Sequence, residues 1–349
     1  MQSLTIRSAA SRHKQSRNKV AKEHAVNKAL VSLTATLSLA LSGLVGTHSA
    51  VAAGQVNAIA DQNPGHLKMA LVSMKCVYSD NEDDVNNKAN IKANLKRHLY
   101  FVDQAAAQGC DFVGFPELSV NGYHFSQHMT WLSLAGPEVK TLARKAVEKG
   151  VYISAGIAEQ DSQGKKWNTQ FVIGPKGDIV GWHHKIWLTK EKGFTEAGTD
   201  HNVVEVKGVK MGISTCADGT DQKNLQALVE NGAQVIYAPH ANTTGGTTAG
   251  WYKFRAAWGG ANGWIAQLKV HAALHNQAGL YEPRFEPPVT EDRNTGWASG
   301  AWFIGPAGQT LTQMPSSTEK SDSREFMLVY SIPIPKLIPS ARPPVQNAK

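Results

Sequence analysis

The 349-residue chain is 42% hydrophobic and carries a formal net charge of +8, enough apolar material for one large domain or two small ones. Within residues 1–30, Arg7, Arg12, Lys14, Arg17, Lys19, Lys22 and Lys28 stand against Glu23 alone; removing that net six from +8 leaves +2 for the rest. A nearly neutral body excludes nucleic-acid binding driven by a basic surface.

The basic start runs into an apolar stretch, Ala29–Gly46, and then into small residues at Ser49–Ala53. This order predicts a secretory signal over 1–53, cleaved near Ala52 or Ala53, and a polar linker over 54–66. Export to the periplasm or the outside follows, with no stable membrane anchor. An uncleaved anchor is the competing reading, but the run is rich in Ser, Thr and Gly and barely reaches the roughly 20 residues of a spanning helix. A mitochondrial transit peptide fits the long uncharged run less well.

Past the linker the pattern becomes regular. Leu67–Val77 predicts a buried strand. Asn87–Gln108 has apolar residues at helical spacing and stops at Gly109. Asp111–Phe115 is a short strand closed by Pro116, Pro137–Lys149 a helix closed by Gly150, and Val151–Ile157 a strand. Two hairpins follow: Asn168–Ile173 with Ile179–His184, and Val203–Val206 with Val209–Thr215 across Lys207 and Gly208. Gln222–Asn231 predicts a helix, Ala233–Ala238 a strand, Trp251–Ala261 a helix and Gly263–Val270 an extended segment. Ala301–Gly308 reads as a strand entering a Gly-Pro-x-Gly turn, and Ile332–Pro344 as a Pro-rich extended arm. Strands alternating with helices give an α/β class with antiparallel pairs mixed in. No boundary, repeat or low-complexity segment follows residue 66.

The three cysteines are Cys76, Cys110 and Cys216. In an exported chain an odd count leaves a thiol over unless it pairs between chains. Cys76 and Cys110 lie in apolar segments and read as core; a disulfide between them stays open, without support from spacing.

Three segments place a reactive side chain just past an apolar strand, where a rigid sheet can hold it. Glu117 follows Phe115-Pro116; a partly buried carboxylate there could act as a base, whereas an exposed turn Glu is the bland alternative. Lys185 lies in an aromatic stretch; a buried ammonium needs a carboxylate or a developing anion, and a snorkelling strand Lys is the alternative. Cys216 ends a strand before a turn and a helix, a setting that suits a nucleophile, although most lone cysteines are inert. His183 and His184 would point to opposite faces of a strand and make a poor metal pair; no metal ligand set is expected.

In the order Glu117, Lys185, Cys216, with separations of 68 and 31 residues, these segments resemble the nitrilase superfamily of carbon–nitrogen hydrolases. The resemblance covers roughly 67–335. It includes Phe115–Tyr123, Asn168, His184-Lys185-Ile186 with Leu188, Glu191 with Phe194 and Gly198, and Gly300 with Gly305–Gly308. It implies a four-layer α-β-β-α sandwich, a homodimer or higher homo-oligomer, no cofactor and a small-molecule amide substrate. It also implies that Cys216, deprotonated by Glu117, attacks an amide or nitrile carbon. Lys185 and the Ala217 amide would stabilise the anion, and water would release the thioester. Glu191 would orient substrate and Lys185, and Tyr123 would serve as a pocket-wall or hydrogen-bonding residue. Apart from the resemblance, the segment His240–Thr248 follows a strand beside the expected site and could line it, which adds His240 and Asn242.

Departures refine this. Trp-Glu, typical after the cysteine of true nitrilases, is replaced by Ala217-Asp218, which favours amides over nitriles. The Arg that many relatives carry shortly after the cysteine is missing, and the Arg-Ala-x-Glu-Asn helix becomes Arg255–Asn262 without its acid. Trp251, Trp258, Trp264, Trp297 and Trp302 read as core or dimer interface, with an aromatic substrate pocket as the sharper alternative. A non-catalytic binding protein on the same fold, and acyl transfer or nitrile hydrolysis by the same triad, remain competing functions.

Overall fold

The computed structural model describes residues 65–77, 84–123, 129–189, 193–243, 246–279, 297–319 and 324–333. The expected signal segment, its cleavage region, nearly all of the linker, Glu191, and the arm beyond Pro333 lie outside them.

One sheet holds β1 (His66–Ser73), β2 (Phe112–Gly114), β3 (Tyr152–Gln160), β4 (Lys166–Ile173), β5 (Ile179–His184) and β12 (Phe326–Pro333) in the order β12-β1-β2-β3-β4-β5. The other holds β6 (Val203–Val206), β7 (Val209–Ile213), β8 (Val235–His240), β9 (His271–Asn276), β10 (Ala301–Ile304) and β11 (Thr310–Gln313) in the order β11-β10-β9-β8-β7-β6. Each sheet has a parallel centre, β1-β2-β3 or β7-β8-β9, between antiparallel flanks.

The central strands are apolar on both faces, as strands covered on both sides must be. In β1, Leu67, Met69 and Leu71 face the other sheet, while Ala70 and Val72 face helices. In β8, Val235 and Tyr237 point to the sheet interface and Ile236 and Ala238 to the opposite helix layer. This period of two builds three cores and hence the α-β-β-α layering. The helices α1 (Asp84–Ala107) and α2 (Pro137–Lys149) cover the first sheet. On the second lie α3 (Gln222–Glu230), α4 (Thr248–Phe254) and α5 (Trp264–Leu268).

Three local expectations need correction. Gly263–Val270 is not extended: Gly263 caps α5, Ile265 is buried in the helix-side core, and Lys269 at φ 56° ends the helix. Five residues are too few for periodicity to separate helix from strand. The helix expected over Trp251–Ala261 starts earlier, where Thr247 Oγ1 accepts from Gly250 N at 3.1 Å, and breaks at Arg255 into a 3-10 turn, Ala256–Trp258. Ile332 and Pro333 do not begin an arm but complete β12, opposite Leu67 and His66. The hairpin at Lys207-Gly208 forms as expected, with both residues at positive φ (52° and 75°), the primed turn that matches strand twist. Cys76 and Cys110 are free thiols in one core; burial pushes Cys110 up to about 11 and Cys76 well above its usual value.

Two buried imidazoles tie the layers together. His275 Nδ1 donates to Val72 O at 2.7 Å, so Nε2 is left to accept from the Tyr237 hydroxyl at 2.9 Å. His98 sits between Asn94 O (2.8 Å) and Ser119 Oγ (2.9 Å). Burial lowers both to about 4, whereas an unfolded histidine titrates near ~6.5. The unfolded chain therefore binds more protons between these values. Stability from these groups is complete above the unfolded value and is lost as pH falls to about 4, by up to about 1.4 kcal/mol per pH unit for each. The urea midpoint should fall clearly between pH 7 and pH 5; an unchanged midpoint would mean that these imidazoles are not held neutral.

Candidate active site

Five strands end at one edge of the sandwich, the usual location of ligand sites in α/β folds. From the first sheet, β2 leads to Glu117 and β5 to Lys185; from the second, β7 leads to Cys216, β8 to Ala241 and β9 to Gln277. The structure thus brings together the three reactive side chains expected from sequence. Glu117 is 0% exposed, Lys185 2% and Cys216 8%.

Glu117 is held by donors on every side. Its Oε1 accepts from Lys185 Nζ at 2.8 Å and Asn168 Nδ2 at 2.9 Å, and its Oε2 from Ala241 N at 3.0 Å. Gln277 Nε2 donates to its main-chain oxygen at 2.9 Å. The following Leu118 adopts φ 50°, and its backbone rests directly on Gly156 of β3, where any Cβ would collide with Leu118 N. Gly156 therefore fixes how deeply Glu117 enters the sandwich.

Cys216 also has positive φ (48°) and opens a 3-10 turn, Cys216–Thr220. Burial, followed by the Glu117 charge, pushes its thiol up to about 12; Lys185, Arg255 and the Ala241 amide pull the other way. Burial and the Glu117 charge thus favour the thiol over the thiolate. Ala217 N–H, at the start of the turn, is among the amides that a helical start leaves without an internal acceptor.

Asp218 joins the two sheets beside the thiol. Its Oδ2 accepts from His183 Nε2 at 2.8 Å and Thr215 N at 3.1 Å, and its Oδ1 from Ile186 N at 3.0 Å and Trp187 N at 2.8 Å. The segments carrying Lys185 and Cys216 are therefore fastened to one carboxylate. His184 turns elsewhere, to Glu159 Oε2 at 3.1 Å, so the adjacent histidines do diverge. Among the described residues no group of three His, Cys, Asp or Glu could hold a metal ion.

The pocket residues divide. Tyr123 packs with Leu118, Met129, Ala158, Ala241 and Trp297 beside Glu117, its ring 5.4 Å from that of Trp297. Trp131 and Phe194 extend this wall. Of the tryptophans weighed between core and pocket, Trp251, Trp258, Trp264 and Trp302 join the helix-side core, and Trp297 joins the wall. His240 is fully buried, with Nδ1 against Ala238 O and His275 O and its ring edge-on to Trp251. Asn242 is pinned by the Asn276 side chain at 2.8 Å on both main-chain groups, and its own Oδ1 has no partner among the described residues. Sequence reasoning missed Ala241 and Gln277, and named Asp218 and Arg255 only as departures from the family pattern. The first two act through a main-chain amide or on a main-chain oxygen, which leaves no motif.

A family model described as carbon-nitrogen hydrolase matches residues 68–320. Over 264 residues the chain is 26% identical to omega-amidase NIT2 of Xenopus tropicalis, covering 71% of this chain and 88% of that protein. It is 34% identical to a nitrilase of Pyrococcus abyssi over 153 residues, 42% of this chain and 58% of that relative. Among solved structures, an amidase from Nesterenkonia sp. aligns with a TM-score of 0.60 at 18% identity, over 78% of this chain and 92% of that one. A mutant of the strain AN1 amidase, with the acetamide moiety of fluoroacetamide covalently added at its active site cysteine, aligns with a TM-score of 0.58 at 18% identity, over 77% and 91%. These likenesses bear out the sandwich expected from sequence.

Proposed function

The chain belongs to the carbon–nitrogen hydrolase family of the nitrilase superfamily and is a hydrolase of the amidase-like kind; from that premise we propose that it cleaves linear, non-peptide amides through a thioester on Cys216. The observation that carries this reading is the Glu117–Lys185 ion pair at 2.8 Å, buried at the strand ends beside the only thiol outside the helix-side core of the first sheet.

In this mechanism Glu117 takes the Cys216 proton as Sγ bonds to the amide carbon and the carbonyl electrons move to oxygen. Lys185 Nζ and the Ala217 amide stabilise that oxyanion. Collapse breaks the C–N bond, and the leaving ammonia or amine takes the proton from Glu117. Water, deprotonated by Glu117, then attacks the thioester and frees the acid and the thiol. The covalent cysteine adduct of the Nesterenkonia AN1 amidase supports the nucleophile assignment by analogy. The wall of Leu118, Tyr123, Met129, Ala158 and Trp297 fits an uncharged acyl group.

The basic, apolar and small-residue order of 1–53 supports export. Assembly into a homodimer or higher homo-oligomer is part of the same proposal and rests on the family resemblance.

The test is to screen the protein for ammonia release across aliphatic, aromatic and carbamoyl amides, with and without hydroxylamine. Ammonia release, with a hydroxamate formed when hydroxylamine is added, is expected from a thioester. No turnover of any amide, together with no mass increase at Cys216, would leave the binding-protein reading standing.

A further inference from the structure

Cys216 sits in the left-handed region, which residues with a Cβ avoid. Such a conformation is strained and persists only where its surroundings over-determine it. On the amide side, Thr215 N is tied to Asp218 Oδ2 at 3.1 Å. The carbonyl side is tied to a cation.

A 3-10 turn stacks residues three apart, and the carbonyls of Cys216 and Gly219 here meet one guanidinium. Arg255 donates from one terminal nitrogen to Gly219 O at 2.8 Å and from the other to Cys216 O at 2.5 Å. It is 1% exposed and has no ion pair with a carboxylate among the described residues. The Phe254 ring lies 4.5 Å from the guanidinium carbon, and Trp258 Nε1 also donates to Gly219 O, at 3.0 Å. Burying a cation is costly, and here two carbonyl acceptors and the nearby charges of Glu117 and Asp218 offset the cost and hold the guanidinium beside the thiol. The segment after Cys216 lacks an Arg, yet a guanidinium reaches this turn from the break between α4 and the next 3-10 turn.

We propose that Arg255 is a positioning residue for Cys216: its fork locks the left-handed turn that aims Sγ, and its charge favours the anionic sulfur during attack. This rests on reading Cys216 as the nucleophile. The groups facing the thiol are Glu117, which opposes a thiolate, and Lys185 and Arg255, which favour it. Arg255 itself faces Cys216, Glu117 and Asp218, and His240 beside it is held neutral by burial and by the guanidinium. Burial lowers Arg255 only to about 10, so it remains charged at neutral pH. Lysine could keep the charge but not bridge two carbonyls in a fixed plane.

Three variants separate these roles: Arg255→Lys, Arg255→Met and Trp258→Phe. The readouts are kcat and KM on a hydrolysed amide, and the pH dependence of Cys216 alkylation by iodoacetamide, followed by intact mass. Arg255→Lys should keep the alkylation profile but lose about tenfold or more in kcat at similar KM, because misaimed reacting groups lose rate rather than binding. Arg255→Met should also shift alkylation to higher pH. Trp258→Phe, which removes a neutral donor from the same carbonyl, should cost less kcat than Arg255→Lys and leave the profile in place. If Arg255→Met does not fold, the split between kcat and KM in Arg255→Lys decides. Wild-type kcat in folded Arg255→Lys, an unmoved profile in folded Arg255→Met, or a loss confined to KM overturns the proposal. Alkylation reports the thiol without turnover, so an Arg255 effect on alkylation with no amide ever hydrolysed would count against the amidase reading instead.

Discussion

On the proposed mechanism, Cys216→Ala should reduce ammonia release from any amide substrate by about 10⁴-fold or more, because the thioester cannot form without Sγ. The fold should survive. The side chain removed is small, and the turn around it is held by main-chain bonds from Asp218 and Arg255 that do not involve sulfur. Retained thermal unfolding together with background turnover is the expected pair of results. Cys76 and Cys110 cannot substitute, since both are buried in the core between the first sheet and its helices. Undiminished ammonia release from this variant would remove the thiol from the mechanism.

Glu117→Gln should lower kcat by about 10³-fold, within the range of a lost general base. The substitution also unbalances a buried site. Glu117 accepts from Lys185, Asn168 and Ala241, and an amide places its own donor against one of them. Breaking a buried ion pair costs about 3–5 kcal/mol, so the thermal midpoint should fall as well. Alkylation of Cys216 should persist, because the Glu117 charge opposes thiolate formation and its removal lowers the thiol from about 12. Turnover within tenfold of the parent protein would show that another group takes the proton.

The sequence carried the site in a form the structure could assemble because each reactive residue terminates an apolar strand. Strand ends are local signals, and Glu117, Lys185 and Cys216 each have one. What sequence could not carry is the set of long-range attachments. Ala241 reaches Glu117 through its amide across 124 residues, and Gln277 across 160. Arg255 stood in a segment noted only for its departure from the family's helix pattern, and it reaches Cys216 O from the break at the end of α4. The α5 segment failed for a different reason: one turn of helix and one short strand contain the same few apolar residues. The tryptophans separate by a distinction that composition does not encode, namely which layer the helix, strand or loop carrying each of them faces.

Glu117 and Lys185 follow strands of one sheet and Cys216 a strand of the other. On the proposed mechanism, turnover is therefore a proximity gauge for two halves of the molecule. A slip of one sheet against the other by a single residue, about 3.3 Å, would separate proton acceptor from sulfur while leaving either half intact. Loss of activity on heating or in denaturant should thus announce undocking at the Leu67–Tyr237 interface core before helical content declines.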